Sequence, residues 1–257
     1  MAAQLRVAID EAAGIARITL DRPERRNALN RALVSELKEA LTAAQSDERV
    51  RVVAIAGAGP DFCAGADLRE LQEAVEAGPD ASLEEAQALG DLFVLIRSLT
   101  KPVVALVHGR ALAGGAGLAT ACDLVLARAD ARFGYPEVKL GFVPAMVMAI
   151  LRRSVGEKRA FELIAQGNPV DADTALGFGL VNRVIPAESF EPDATAFLEE
   201  LSSRSASAVA LSKRLLYEID GASFEAAIRA GAQVNVIARQ TEDCRAGIRR
   251  FLDRTDS

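Results

Sequence analysis

The stretch Ala111 to Leu124, ALAGGAGLATACDL, places Gly114, Gly115 and Gly117 between the apolar run PVVALV (Pro102 to Val107) and a helix-like segment. Glycine at a helix start lets a ligand approach the N–H groups that the first turn leaves unpaired, and the helix dipole adds partial positive charge. Such a turn suits a negative oxygen. CAGADL, Cys63 to Leu68, is a second turn of this kind, with small residues running into a helix after an apolar strand. If the two converge, their N–H groups form an oxyanion hole, which stabilises charge developing on a carbonyl oxygen. Close packing of helix on sheet also selects small residues and is the competing explanation. The two turns gain weight from a third stretch, FGYPEVKLGFVP, in the same chain.

Other chemistries find little support. His108 is the single histidine and no G-x-S-x-G occurs, so a serine or cysteine triad would rest on one imidazole that reads better as a satisfied loop residue beside Gly109. No phosphate-binding G-x-x-x-x-G-K-[ST] is present. Gly115-Ala-Gly117-Leu-Ala-Thr120 approaches a dinucleotide fingerprint, with Glu137 about 20 residues on, but Thr120 stands where a glycine or alanine should pack. Cys63, Cys122 and Cys244 are odd in number and widely spaced, which fits small buried hydrophobes in a reducing cytoplasm rather than a disulfide framework or a zinc set. No metal is expected.

Thirty basic and 36 acidic residues leave a net charge of -6 without a basic stripe, which disfavours a nucleic-acid partner. The N-terminus lacks a signal pattern, and the longest nearly uncharged apolar stretch, Gly141 to Leu151, is too short to span a bilayer. A cytoplasmic protein with no membrane association is expected.

The elements that must position the turns follow from periodicity. Leu5 to Ile9 and Ile15 to Leu20 alternate about Gly14 and predict a hairpin. Asn30 can cap a helix with Leu33, Leu37, Ala40, Leu41 and Ala44 on its apolar face, followed by a strand at Val50 to Gly57. Ala86, Leu89, Phe93 and Ile96 keep helical spacing, with a mobile connection predicted at Gly78-Pro79. Strands are predicted at Pro102 to Val107 and Asp123 to Ala127, an α/β alternation with largely parallel pairing. From about Pro192 three helical segments are predicted, carrying Phe197, Leu201, Leu211, Leu215, Ile228, Val234 and Ile237. This appendage is too thin for its own core and implies self-association; a core of residues 1–190 and a helical region of residues 191–257 are expected. No repeat of 20 to 50 residues of the solenoid kind is visible.

In order along the chain, DRPERRNALN (Asp21 to Asn30), DFCAGADLREL (Asp61 to Leu71), KPVVALVHGRALAGGAGLATACDLVLA (Lys101 to Ala127), ARFGYPEVKLGFVP (Ala131 to Pro144) and ALGFGLVNRVIP (Ala175 to Pro186) closely resemble the crotonase superfamily, the enoyl-CoA hydratase/isomerase family. The resemblance implies an α/β fold, a ClpP-like spiral of repeated β-β-α units with a C-terminal helical region, assembled as a homotrimer or homohexamer. It implies a coenzyme A thioester whose carbonyl oxygen lies between the N–H groups of Ala66 and Gly114. The coenzyme A moiety, part of the substrate rather than a separate cofactor, would lie along Arg26, Ala28, Ala64, Asp67 and Leu68. Phe251, in GIRRFL, matches a phenylalanine that closes a neighbouring subunit's site.

Polarising the thioester carbonyl acidifies C2, so a proton carrier is needed there, and a carboxylate whose pKa is raised by apolar surroundings can serve. Glu137, among Phe133, Val138, Leu140 and Phe142, matches the family's second catalytic glutamate. The position of the first, which would hold and activate water, is Gly117. Hydration is most simply done by two carboxylates, whereas one suffices to move a proton between C2 and C4. The expectation is an enoyl-CoA hydratase of fatty acid or related acyl-CoA metabolism, with Δ3,Δ2-enoyl-CoA isomerase as one alternative and a non-catalytic fold-only protein as another. Glu73, Glu76, Glu84 and Glu85 are candidate substitute carboxylates, and Tyr135 is another candidate polar group unless its ring simply packs.

Overall fold

The computed structural model describes residues 3–255. Leu5–Asp10 (β1) and Ile15–Leu20 (β2) form the predicted antiparallel hairpin. Asn30 caps Arg31–Ser46 (α1), its side chain accepting from Leu33 N at 2.8 Å, and Leu33, Leu37 and Leu41 are buried along one face. Val52–Gly57 (β3) leads through the CAGADL turn into Leu68–Ala77 (α2). Only Gly78 separates α2 from Pro79–Ser98 (α3), and Ser82 Oγ donates to Ala74 O across this one-residue joint, where the sequence predicts a mobile connection.

Val103–Val107 (β4) is followed by Arg110–Leu112 (β5), Gly114–Ala121 (α4), Leu124–Arg128 (β6) and Arg132–Gly134 (β7). A 3-10 turn, Pro136–Leu140, then carries Glu137, ahead of Ala145–Val155 (α5) and Glu157–Gln166 (α6). Val170–Asp171 (β8), Ala172–Phe178 (α7) and Arg183–Ile185 (β9) complete the strands among the described residues.

The main sheet runs β1-β2-β3-β4-β6-β9 and is parallel after the hairpin. Val53, Ile55, Val103, Ala105 and Val107 face one core with α1, α3 and α4, while Val52, Ala54, Val104 and Leu106 face a second. Burial on both faces is why these strands read as continuous apolar runs. Phe190–Ser202 (α8) covers the second face with Phe190, Ala194 and Leu198.

One sequence expectation is corrected. Among the described residues four helices close the chain where three were expected: α8, Ala206–Glu218 (α9), Phe224–Gln240 (α10) and Glu242–Thr255 (α11). Thr241 alone parts the last two, leaving no interruption in the pattern. A second sheet, β5-β7-β8, is built of strands of two or three residues, too short to carry a measurable period in the sequence.

This small sheet continues through two single bridges, Ala111 to Cys63 and Leu29 to Ala66, both parallel. A long strand, a short extended segment and a helix thus recur as β2, Leu29 and α1; β3, Cys63 to Ala66 and α2; and β4, β5 and α4. The repeat absent from the sequence is present in the backbone.

Candidate active site

The two glycine-bearing turns meet. A β-carbon placed on Gly114 would stand 3.6 Å from Ala66 N, and one placed on Gly65 would stand 3.4 Å from Gly114 N. Leu29 N donates to Gly65 O and Asp67 N donates to Leu29 O. Leu29 thereby bonds both neighbours of Ala66, and in a parallel bridge this turns Ala66 N–H away from Leu29. Gly114 is the first residue of α4, where an N–H has no intrahelical acceptor.

The three glycines of α4 differ in what they accommodate. A β-carbon on Gly115 would lie 2.3 Å from Cys63 O, so this glycine lets α4 pack against the CAGADL turn. On Gly117 it would lie 2.5 Å from Val147 Cγ2 and 3.0 Å from Phe93 Cζ. On Gly114 it would find ordinary contacts of 3.5 to 3.7 Å, with Leu89 Cδ2, Ala66 N and Leu29 Cδ1. Packing within the chain requires glycine at two positions and leaves the third open toward Ala66.

Backbone bonds hold the turns in place. Cys63 N donates to Arg110 O and Leu112 N to Cys63 O, which stitches CAGADL to β5. Ala113 N donates to Gly134 O at 2.8 Å, tying the residue before Gly114 to the segment that carries Glu137. Ala113 has φ +50° and ψ -125°, a costly backbone state for a residue with a side chain, and it sits directly before the proposed donor.

Glu137 is buried, and its Oε2 has no hydrogen-bond partner. Burial pushes its carboxyl above the ordinary carboxylate range, and a bond from its own backbone offsets this only in part. The neighbours named from sequence divide: Phe133 is buried, while Val138, Leu140 and Phe142 are exposed. Tyr135 is fully buried, with its hydroxyl 3.1 Å from Thr120 Oγ1. Thr120 Oγ1 donates to Ala116 O, so Tyr135 O–H donates to Thr120 and joins the Glu137 segment to α4. Of the other candidate carboxylates, Glu73, Glu76 and Glu84 are exposed, and Glu85 is half-buried.

Arg26 O accepts from Ala64 N at 3.0 Å, which brings the RNAL and CAGADL segments together. Arg22 donates to Ala28 O and forms an ion pair with Asp67, the N-cap of α2. Leu68 is exposed. Phe251 lies exposed on α11, which packs on α9 and α10. Cys63 and Cys122 are buried as expected, with burial pushing the Cys63 thiol up to about 12, whereas Cys244 is only half-buried. His108 Nε2 lies 2.9 Å from Gly59 O, the satisfied loop role.

Sequence reasoning missed the residues that hold the frame. Asn27 is buried with φ +55°, and its Nδ2 is shared among Ala58 O, Asp61 O and Phe62 O. Asp61 takes a two-pronged bond from Arg110 at 2.8 and 2.9 Å; burial works against its charge, but the guanidinium prevails and its carboxyl lies below its ordinary value. Nothing in an isolated Asn or Asp within a loop motif signals such partners.

A chain with this two-sheet frame and two glycine-bearing turns in contact belongs, by direct comparison, to the enoyl-CoA hydratase/isomerase family, whose sequence model matches residues 10–257. A Thermus thermophilus protein named "Putative enoyl-CoA hydratase" is 41% identical over 240 residues, covering 93% of this chain and 95% of its own. "Crotonyl-CoA hydratase" of Syntrophomonas wolfei is 36% identical over 245 residues, with 93% and 92% covered. The crystal structure of an enoyl-CoA hydratase from Mycobacterium smegmatis superposes with a TM-score of 0.93 at 33% identity, covering 98% of this chain and 97% of that one. The fold is the crotonase fold.

Proposed function

We propose that this chain is an enoyl-CoA hydratase-type enzyme acting on an acyl-CoA thioester through proton transfer at C2. The thioester oxygen would accept from Ala66 N–H and Gly114 N–H, so that charge developing there as an enolate meets two fixed donors. Glu137 would carry the proton. The observation that bears most weight is its buried, unpartnered Oε2 on a segment tied through Gly134 O to the residue before Gly114. A neutral carboxylic acid at working pH can donate to C2, and its burial favours that form. No cofactor beyond the coenzyme A of the substrate is invoked. Arg26, Ala28, Ala64, Asp67 and Leu68 would contact that moiety.

The second reading is Δ3,Δ2-enoyl-CoA isomerisation by Glu137 alone. It is favoured by Val147 and Phe93, which fill the space beside Gly117 where the family's first glutamate would extend. A fold-only role gives no reason to keep an acid buried without a partner. The reading includes assembly as a trimer or paired trimers, with Phe251 reaching a neighbouring site. It is supported by α10, which buries no residue in the single chain and exposes Phe224, Ile228, Val236 and Ile237.

The test is to offer 2-enoyl-CoA and 3-enoyl-CoA thioesters in heavy water and follow products and deuterium at C2. Deuterium entering C2 supports the reading. Its absence with both substrates would overturn it.

A further inference from the structure

We propose that Glu85 of α3 supplies the second carboxylate of this site and holds the attacking water during hydration, in place of a residue on α4. The inference rests on the reading of Ala66, Gly114 and Glu137 given above.

Space excludes the alternative location, because Val147 Cγ2 and Phe93 Cζ stand where a side chain on Gly117 would begin. Space also points to the new one. A narrow cavity of about 20 Å³, enough for about one water, is lined by Leu29, Arg31, Ala66, Glu85 and Leu89. Ala66 lines the cavity directly, and two further walls, Leu29 and Leu89, are the side chains that lie 3.7 and 3.5 Å from a β-carbon on Gly114. Glu73, Glu76 and Glu84 are exposed and do not line it.

The charged groups around Glu85 suit a carboxylate that takes a proton. Burial and the neighbouring Glu70 raise its pKa, while Arg31 opposes them. Glu70 is itself engaged, accepting from Arg31 N at 2.7 Å. Glu137 is raised by burial and opposed only by a bond from its own backbone among the described residues. Burial raises both carboxyls, and the Arg31 charge is what acts on Glu85 alone of the two.

The step balances. Glu85 takes a proton from water as its oxygen bonds to C3, and the C2–C3 π electrons move toward C1, leaving an enolate oxygen on the two N–H groups. Glu137 gives its proton to C2 as the carbonyl reforms. Exchange with solvent returns Glu137 to the acid and Glu85 to the carboxylate.

The experiment compares parent, E85Q, E85D and the exposed-site control E84Q. It measures hydration of crotonyl-CoA and, separately, deuterium uptake at C2 of butyryl-CoA in heavy water. E85Q should lower hydration at least about hundredfold, keep C2 exchange within about threefold and lose the acidic limb of the hydration pH profile. E84Q should leave both reactions within about twofold. If E85Q lowers the melting temperature, E85D decides: reduced hydration with retained exchange supports the role, and equal loss of both overturns it. Hydration by E85Q within about threefold of the parent, or a parent that exchanges C2 but does not hydrate, also overturns it. A parent that shows no C2 exchange would instead overturn the role of Glu137.

Discussion

A β-carbon on Gly117 would come within 2.5 Å of Val147 Cγ2, so α4 and α5 approach each other at this point through the absence of a side chain. Helix propensity alone would make Gly117→Ala stabilising by about 0.5–1 kcal/mol. Overpacking against Val147 and Phe93 reverses the sign, and a net loss of about 1–2 kcal/mol is expected in denaturant unfolding. The double variant G117A/V147A should recover most of it. Gly117→Glu should destabilise further, because a larger side chain starts from the same contacts with Val147 and Phe93.

Glu137→Gln keeps the volume and removes the proton carrier. Turnover should fall at least about hundredfold with little change in acyl-CoA binding, as measured by steady-state kinetics and a binding titration.

The same variant should be the more stable protein at neutral pH. The folded-state pKa of Glu137 is raised, so the folded chain binds more protons than the unfolded one between the ordinary glutamate value and the raised value. Stability conferred by the neutral acid is therefore complete below the ordinary value and is lost as pH rises through the raised one. Thermal unfolding of parent and variant should coincide at acid pH and diverge toward neutrality, with the glutamine form higher. A constant difference across pH would mean that Glu137 titrates in the folded state as it does in the unfolded chain.

Ala113→Gly should relieve the left-handed strain before Gly114 and raise stability by about 1 kcal/mol, or about 2–4 °C in melting temperature. Turnover should drop several-fold, because the Gly114 N–H would lose part of its fixed direction.

On the C-terminal helices, Lys213 Nζ donates to Ile96 O and Lys101 O and pairs with Asp123 at 2.7 Å, while Tyr217 O–H also donates to Asp123. This buried pair anchors α9 to the strands. Lys213→Met strands the Asp123 charge and should cost about 3–5 kcal/mol; adding Asp123→Leu should restore much of it. Urea midpoints of the single and double variants provide the check.

The large elements were legible because each rests on a periodic apolar pattern: Leu33, Leu37 and Leu41 on α1, and the two-sided runs of β3 and β4. The meeting of Ala66 with Gly114 was legible through the resemblance. The small second sheet was not, since it consists of backbone bonds in segments such as Arg110–Leu112 that leave no side-chain period. Neither was Asn27, whose hydrogen-bonding capacity is as readily used by solvent until three carbonyls converge on it. That Glu85 rather than Glu84 turns inward depends on the rotation of α3 about its axis, which adjacent positions in a sequence do not disclose.

The bridges joining Leu29 to Ala66 and Cys63 to Ala111 have a further meaning for how such a site can change over time. Because main-chain bonds link the segments bearing the two donors, one cannot shift without dragging the other, and no single side-chain replacement removes either N–H except proline. The carboxyls enjoy no such protection. One point substitution erases an acid, and another on a facing helix can restore one. The proposed anion cradle is therefore carried by the backbone, which point substitution leaves in place, and the proposed acids by side chains, which it does not.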